Sequence, residues 1–119
     1  MDPEAVAQIE EIVRRRTSGQ AFLAKRSKVF QAFGEVERLA FKDGVLSKKT
    51  KELMAAALSI DKNCQSCMEW HIHEAIKAGA TEEEVLETIG VAIEMGGGPA
   101  TVFSRFAVEA LEYHLSRKK

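Results

Sequence analysis

Apolar residues recur at helical spacing along almost the whole chain, and only two prolines and eight glycines interrupt the pattern. Recurrence every three or four residues is typical of amphipathic helices, whereas half-buried strands alternate apolar and polar positions. The sequence therefore predicts an all-α fold of about six helices. With 119 residues, 45% of them hydrophobic, the chain is long enough to bury a core without disulfide support.

Capping and turn residues mark the first two predicted helices. Asp2 followed by Pro3 is typical of a helix start, and Thr17-Ser18-Gly19 is predicted to end that helix. Residues 1–20 would then form a peripheral arm. A second helix, rich in aromatic residues, is predicted from about Ala21 or Ser27 to the turn dipeptide at 43–44.

The next two helices carry the residues of chemical interest. Ser47 is the predicted N-cap of a helix that runs to about Lys62. Asn63 is a favourable N-cap for the following helix, which we expect to begin at Cys64 and to end at the glycine stop of residues 78–79. Both cysteines of the chain would lie in the first turns of that helix.

The last two helices have clear start signals. Thr81 and Glu84 have the spacing of a capping box and predict the fifth helix, with Val85, Leu86, Ile89, Ala92 and Ile93 facing inward. The glycines of 96–98 are predicted to form a close helix–helix turn. Pro99 would begin the sixth helix.

Charge and hydropathy exclude two classes of partner. The 17 basic and 18 acidic residues are interspersed, so no broad basic field favours nucleic acid. The short run of arginines at 14–16 is interpreted as part of a solvated helix face.

No apolar run approaches the roughly 20 residues of a membrane-spanning helix. Residues 1–4 lack the features of a signal peptide, so we expect a cytoplasmic protein.

The stretch from Cys64 to His71 carries the strongest chemical signal. Residues three and four apart share a helix face, so Cys64, Cys67 and His71 would form one row. A helix N-terminus favours the thiolate, which is the reactive form of cysteine. His71 could exchange a proton with a thiol, and Glu52 on the preceding helix is the candidate to orient it.

The same residues leave a metal site open as an alternative. Two thiols and the His71 imidazole could supply three zinc ligands, with Glu52 as a fourth. His73 is expected on a different helix face from His71, at the surface or in an interface. For His114, near a helix C-terminus, we expect a solvated or capping role.

The spacing of Glu52, Cys64, Cys67 and His71 resembles the signature of alkylhydroperoxidase D-like proteins, within the carboxymuconolactone decarboxylase superfamily. The likeness continues through Ala75, 78–84 and 95–100, and it covers about residues 27–115 of a single domain spanning 1–119. It implies an all-helical subunit that assembles into homotrimers or homohexamers. It also implies thiol-dependent hydroperoxide reduction without a metal or organic cofactor.

The resemblance also implies roles for individual residues. Cys67 would be the peroxidatic cysteine and Cys64 the resolving one, while Glu52 and His71 would relay protons. An external dithiol, on a lipoyl, thioredoxin-like or peroxiredoxin partner, would reduce the resulting disulfide. The chain departs from the pattern of well-studied members at Ser66, where they have a histidine, which leaves a shorter proton relay.

Two other functions stay open at this point. The superfamily name permits a lactone decarboxylase, although that chemistry needs no redox cysteine pair. A non-catalytic helical oligomer is the other, with a structural or zinc-binding CxxCxxxH site.

Overall fold

The computed structural model describes residues 1–118, and in that part of the chain it contains α-helices and no strands. The predicted all-α fold of six helices is confirmed. The helices are α1 (Pro3–Arg26), α2 (Lys28–Phe41), α3 (Lys48–Asp61), α4 (Gln65–Lys77), α5 (Glu82–Gly96) and α6 (Gly98–Ser116).

Helix α1 is longer than the sequence predicted. It begins at the Asp2 cap as expected, but it runs through residues 17–19 and ends at Arg26. A single interior glycine costs a helix only about 1 kcal/mol, and no proline interrupts this stretch. The Thr17 hydroxyl donates to the Val13 carbonyl, which keeps this polar side chain compatible with the helix. Ser27, one of the two predicted starts, then caps α2.

The start of α4 differs from the prediction by one residue. Asn63 is not the N-cap, because its φ of 52° places it in the left-handed region that asparagine tolerates. Cys64 takes the cap position instead, and its Sγ accepts a hydrogen bond from the Cys67 N–H at 3.2 Å. One cysteine therefore caps the helix that carries the other.

The turn into α6 requires glycine at two neighbouring positions. Gly97 has a φ of 73°, which an L side chain rarely adopts. A Cβ on Gly96 would collide with the Asp61 carboxylate and with Ala100. The close helix–helix turn predicted at 96–98 agrees with this geometry. The predicted capping box of Thr81 and Glu84 also forms, at the start of α5.

Helix α4 lies at the centre of the fold and packs against α3, α6 and α1. Helix α5 closes the core by packing against α3 and α6. The largest apolar side chains that are fully buried are Ile9, Ile60, Met68, Ile72 and Val85. Because α4 has neighbours on several sides, its polar residues meet different partners on different faces.

Apolar side chains remain exposed on the outer helices. Helix α2 has no buried residue, and Val29, Phe33, Val36 and Leu39 are all exposed. Leu86 is exposed as well, contrary to its predicted inward position, whereas Val85, Ile89 and Ala92 are buried. None of the helices within residues 1–118 is both long and apolar enough to cross a lipid bilayer.

Candidate functional site

The two cysteines lie at the N-terminal end of α4 and are joined in a disulfide. Their Cα atoms are 5.2 Å apart, within the usual range for a disulfide. Cys64 and Cys67 are both half-buried, so the pair lies at the edge of the core. The amide that donates to the Cys64 Sγ would stabilise a thiolate there after reduction. Position and exposure are those of a pair that can react.

His71 lies one turn after Cys67 and is held by a carboxylate from α3. Its Nδ1 is 2.7 Å from the Glu52 Oε1, which joins the two residues that the sequence had linked. The His71 ring also stacks on Phe41, with ring centroids 5.2 Å apart. With Nδ1 engaged by Glu52, Nε2 is the nitrogen left for proton exchange.

Lys48 completes this network and was missed in the sequence. Its Nζ lies 2.7 Å from the second oxygen of Glu52 and 3.5 Å from the Glu74 carboxylate. Burial alone would raise the pKa of the Glu52 carboxyl, but the hydrogen bonds from His71 and Lys48 outweigh burial and lower it. Glu52 is therefore ionised at neutral pH. The i,i+4 spacing of Lys48 and Glu52 was the available signal.

A groove of about 300 Å³ runs beside this network. Its walls include Phe41 of α2, Lys48 and Glu52 of α3, and Trp70 of α4. The groove therefore reaches the carboxylate that holds His71, on the side that α2 borders.

A second carboxylate–histidine pair lies on another face of α4. The Glu69 side chain is completely buried, and its Oε2 is 2.7 Å from the His114 Nε2 of α6. Its Oε1 accepts a hydrogen bond from the Arg16 guanidinium of α1. Burial would raise the pKa of the Glu69 carboxyl, but His114 and Arg16 outweigh it and lower the pKa. This cluster ties three helices together.

Two sequence interpretations need correction in this cluster. The run at 14–16 was assigned to a solvated face, and its first two arginines are exposed, but the Arg16 side chain is only 13% exposed because it pairs with Glu69. His114 was assigned a solvated or capping role, yet it is buried because α6 turns it toward the same carboxylate. Neither contact could be read from local spacing, since the partners lie 53 and 45 residues away.

His73 faces this second cluster rather than the cysteine row, as its helix position predicted. Its ring stacks on His114, with centroids 4.3 Å apart. The residue is half-buried rather than on the surface, and its Nδ1 is buried with no hydrogen-bond partner among residues 1–118. Burial and the neighbouring His114 lower the pKa of His73.

A comparison with known protein families identifies the family of this chain. The family model of the carboxymuconolactone decarboxylase family matches residues 27–110. The chain belongs to this family. That assignment confirms the family prediction made from the Glu52, Cys64, Cys67 and His71 spacing. The matched segment begins at the cap of α2 and ends within α6.

Two uncharacterized proteins are similar to this chain over about two thirds of its length. An uncharacterized protein of Cupriavidus necator is 40% identical over 82 residues, which cover 69% of this chain and 70% of that protein. A protein encoded in the cox locus of Paracoccus denitrificans is 38% identical over 81 residues, covering 68% and 73% respectively.

Solved structures of family members have the same fold. A family protein from Legionella pneumophila superimposes with a TM-score of 0.85 at 39% identity, covering 90% of this chain and 96% of that one. A second, from Thermotoga maritima, gives a TM-score of 0.81 at 26% identity, with 89% and 91% coverage. A role in the antioxidative response has been suggested for the Thermotoga protein.

Proposed function

We propose that this protein is a thiol-dependent oxidoreductase that reduces hydroperoxides through Cys64 and Cys67. The main support is the placement of this pair at the start of α4, one turn before a histidine whose Nδ1 is fixed 2.7 Å from Glu52. Nucleophilic thiol chemistry requires a thiolate and a base that is oriented by a third group. The role suggested for the Thermotoga relative is consistent with such an activity.

The first step is attack by Cys67 on the peroxide. The Cys67 thiolate takes the terminal oxygen of the hydroperoxide and the O–O bond breaks, so that the sulfur is oxidised to a sulfenic acid. The departing alkoxide takes a proton and leaves as an alcohol, or as water when the substrate is hydrogen peroxide. His71, which accepted the thiol proton, supplies that proton while Glu52 stabilises its cationic form.

The second step forms the disulfide. The Cys64 thiolate attacks the Cys67 sulfur, the S–O bond breaks, and the hydroxide leaves as water with a proton from the relay. Capping by the Cys67 N–H keeps Cys64 close to its target and favours its thiolate form. Following the family resemblance, we assign the resolving role to Cys64 and the peroxidatic role to Cys67, which lies one turn before His71.

Turnover then requires an external dithiol, which supplies two electrons and two protons to the disulfide. A lipoyl group, a thioredoxin-like protein or a peroxiredoxin would have this chemistry. Such reductants are supplied in reducing compartments, so we also place the protein in the cytoplasm. The cycle uses no metal or organic cofactor.

Cysteine variants test the assignment. We expect Cys67→Ser to abolish peroxide consumption. Cys64→Ser should consume one equivalent and accumulate a sulfenic acid that a dimedone probe traps, as detected by mass spectrometry. Wild-type protein carried through the same labelling is the control, because its sulfenic acid is lost to the disulfide. Peroxide consumption by Cys67→Ser at the wild-type rate would disprove the assignment.

We further propose that the protein functions as a homotrimer or homohexamer. Val29, Phe33 and Val36 expose an apolar surface on α2, which a second copy could cover. Sedimentation velocity should show a trimer or hexamer for the wild type and smaller species for Phe33→Asp. Thr81→Ala, which alters a helix cap elsewhere, is the matched control. A wild-type monomer at micromolar concentration would contradict the proposal.

A further inference from the structure

Three potential metal ligands converge on the second cluster. One ligand atom from each of Glu69, His73 and His114 lies within 4.8 Å of the other two. Glu69 and His73 are four residues apart on α4 and so share a face, while His114 reaches them from α6. None of these residues takes part in the proposed redox cycle. The redox cycle therefore does not explain why these three residues lie together.

We propose that Glu69, His73 and His114 form a binding site for a divalent transition-metal ion of the zinc class. Two imidazoles and one carboxylate are a known three-ligand set for such ions. His73 Nδ1 is the clearest sign, because a buried nitrogen without a hydrogen-bond partner in residues 1–118 has an unused lone pair or proton. A metal ion would satisfy it.

The remaining ligands already have the orientation that metal binding needs. Arg16 holds the Glu69 Oε1, which fixes the carboxylate and leaves Oε2 toward the histidines. The hydrogen bond between His114 Nε2 and this Oε2 would be replaced by two metal bonds. The proton between them passes to His114 Nδ1 or to solvent, because a metal ligand must offer a free lone pair. Metal binding would draw the three ligand atoms, which lie within 4.8 Å of one another, closer together.

The surroundings indicate where a fourth ligand would bind. A cavity of about 280 Å³ borders His73 and His114, and its rim carries Lys77, Arg117 and Lys118. A water molecule or a small anion could reach the metal from this side. The positive rim and the Arg16 charge oppose a cation, so we expect micromolar rather than tighter affinity.

The test is zinc binding to the full-length protein in its disulfide form. Oxidation removes Cys64 and Cys67 as competing ligands, so the result does not depend on the proposed redox cycle. Calorimetry should show one equivalent of Zn²⁺ bound, and Co²⁺ should give the visible absorption of a low-coordinate site. Zinc should also raise the melting temperature in proportion to the logarithm of its concentration.

Two matched variants locate the metal. His73→Phe keeps a ring against His114 and removes no hydrogen bond of Nδ1, so it should fold and bind zinc at least tenfold more weakly. His71→Phe alters the other histidine of α4 and should bind zinc like the wild type. Three results would overturn the proposal: no binding by the wild type, equal binding by His73→Phe, or a loss confined to His71→Phe.

Discussion

Helix α4 contributes one residue to each of two carboxylate–histidine pairs, which are similar in construction and differ in their surroundings. Glu52 meets His71, and Glu69 meets His114, both at 2.7 Å, and each carboxylate has a basic residue on its second oxygen. Around Glu52 that residue is Lys48, whose side chain is 38% exposed. Around Glu69 it is Arg16, which is 13% exposed. The two pairs thus share their chemistry and differ in their access to water.

The two pairs also differ in what surrounds them. The Glu52–His71 pair lies at the edge of the core, one turn from half-buried cysteines, where protons can be exchanged with solvent. The Glu69–His114 pair lies inside and joins α1, α4 and α6. A buried charge that is fully paired rigidifies its neighbours, and it is costly to leave unpaired. Burial, rather than residue type, distinguishes the two pairs.

The largest expected effect is on stability and compares the two carboxylates. Glu69→Ala leaves the Arg16 charge without its partner in a closed site, so we expect it to lower the free energy of unfolding by about 3–5 kcal/mol. Glu52→Ala should cost about 1–2 kcal/mol, since Lys48 can turn into water. Urea denaturation of both variants measures this. Equal losses would remove the distinction between the pairs.

The next effect is on the rate of thiol oxidation. His71→Gln removes the proton relay and should slow oxidation of the cysteine pair by at least about 10²-fold, the lower end of the usual contribution of a general acid–base. The rate can be followed by stopped-flow after mixing reduced protein with peroxide. Thr81→Ala, in the α5 cap, is the control for lost stability and should oxidise at the wild-type rate. An unchanged rate in His71→Gln would exclude the relay.

The decrease in stability at acidic pH should show the contribution of both carboxylates, Glu52 and Glu69. In the folded state the pKa values of these two carboxyl groups lie below their ordinary value of 4.5. As the pH falls, the unfolded chain therefore binds protons at these groups before the folded protein does. The stabilisation is complete above pH 4.5 and is lost progressively below it. Urea midpoints from pH 6 to pH 3 should fall less steeply in Glu69→Ala and Glu52→Ala. A wild-type slope in both variants would contradict this origin.

The smallest expected loss of stability serves as a reference for the larger ones. Thr81→Ala removes one side of a capping box on α5, outside both histidine pairs, and should cost about 1 kcal/mol. Thermal unfolding measures this loss. A loss as large as that of Glu69→Ala would mean that stability is spread evenly over the fold rather than concentrated in the buried cluster.

The Glu52–His71 pair and the neighbouring cysteines could be predicted from the sequence, because most of the signals for them are local. Cys64, Cys67 and His71 share one helix face, and helical periodicity also indicated the six helices and most of their caps. The Glu52 contact followed from a spacing typical of the family. The structure places these residues together, while their catalytic roles stay a prediction.

The second cluster could not be predicted in the same way. Arg16 and His114 reach Glu69 from opposite ends of the chain, and helical periodicity does not reveal such pairings. The left-handed Asn63 was also missed, because asparagine suits both an N-cap and a left-handed turn. The contacts of Arg16 and His114 depend on the packing of α1 and α6 against α4.

The central claim is that Cys64 and Cys67 are a peroxide-reducing pair. We would mix fully reduced protein with one equivalent of hydrogen peroxide, and separately with an organic hydroperoxide, and analyse the cysteines by mass spectrometry. The account predicts consumption of one equivalent and an intramolecular Cys64–Cys67 disulfide. Recovery of both cysteines as free thiols, with the peroxide unconsumed, would contradict it.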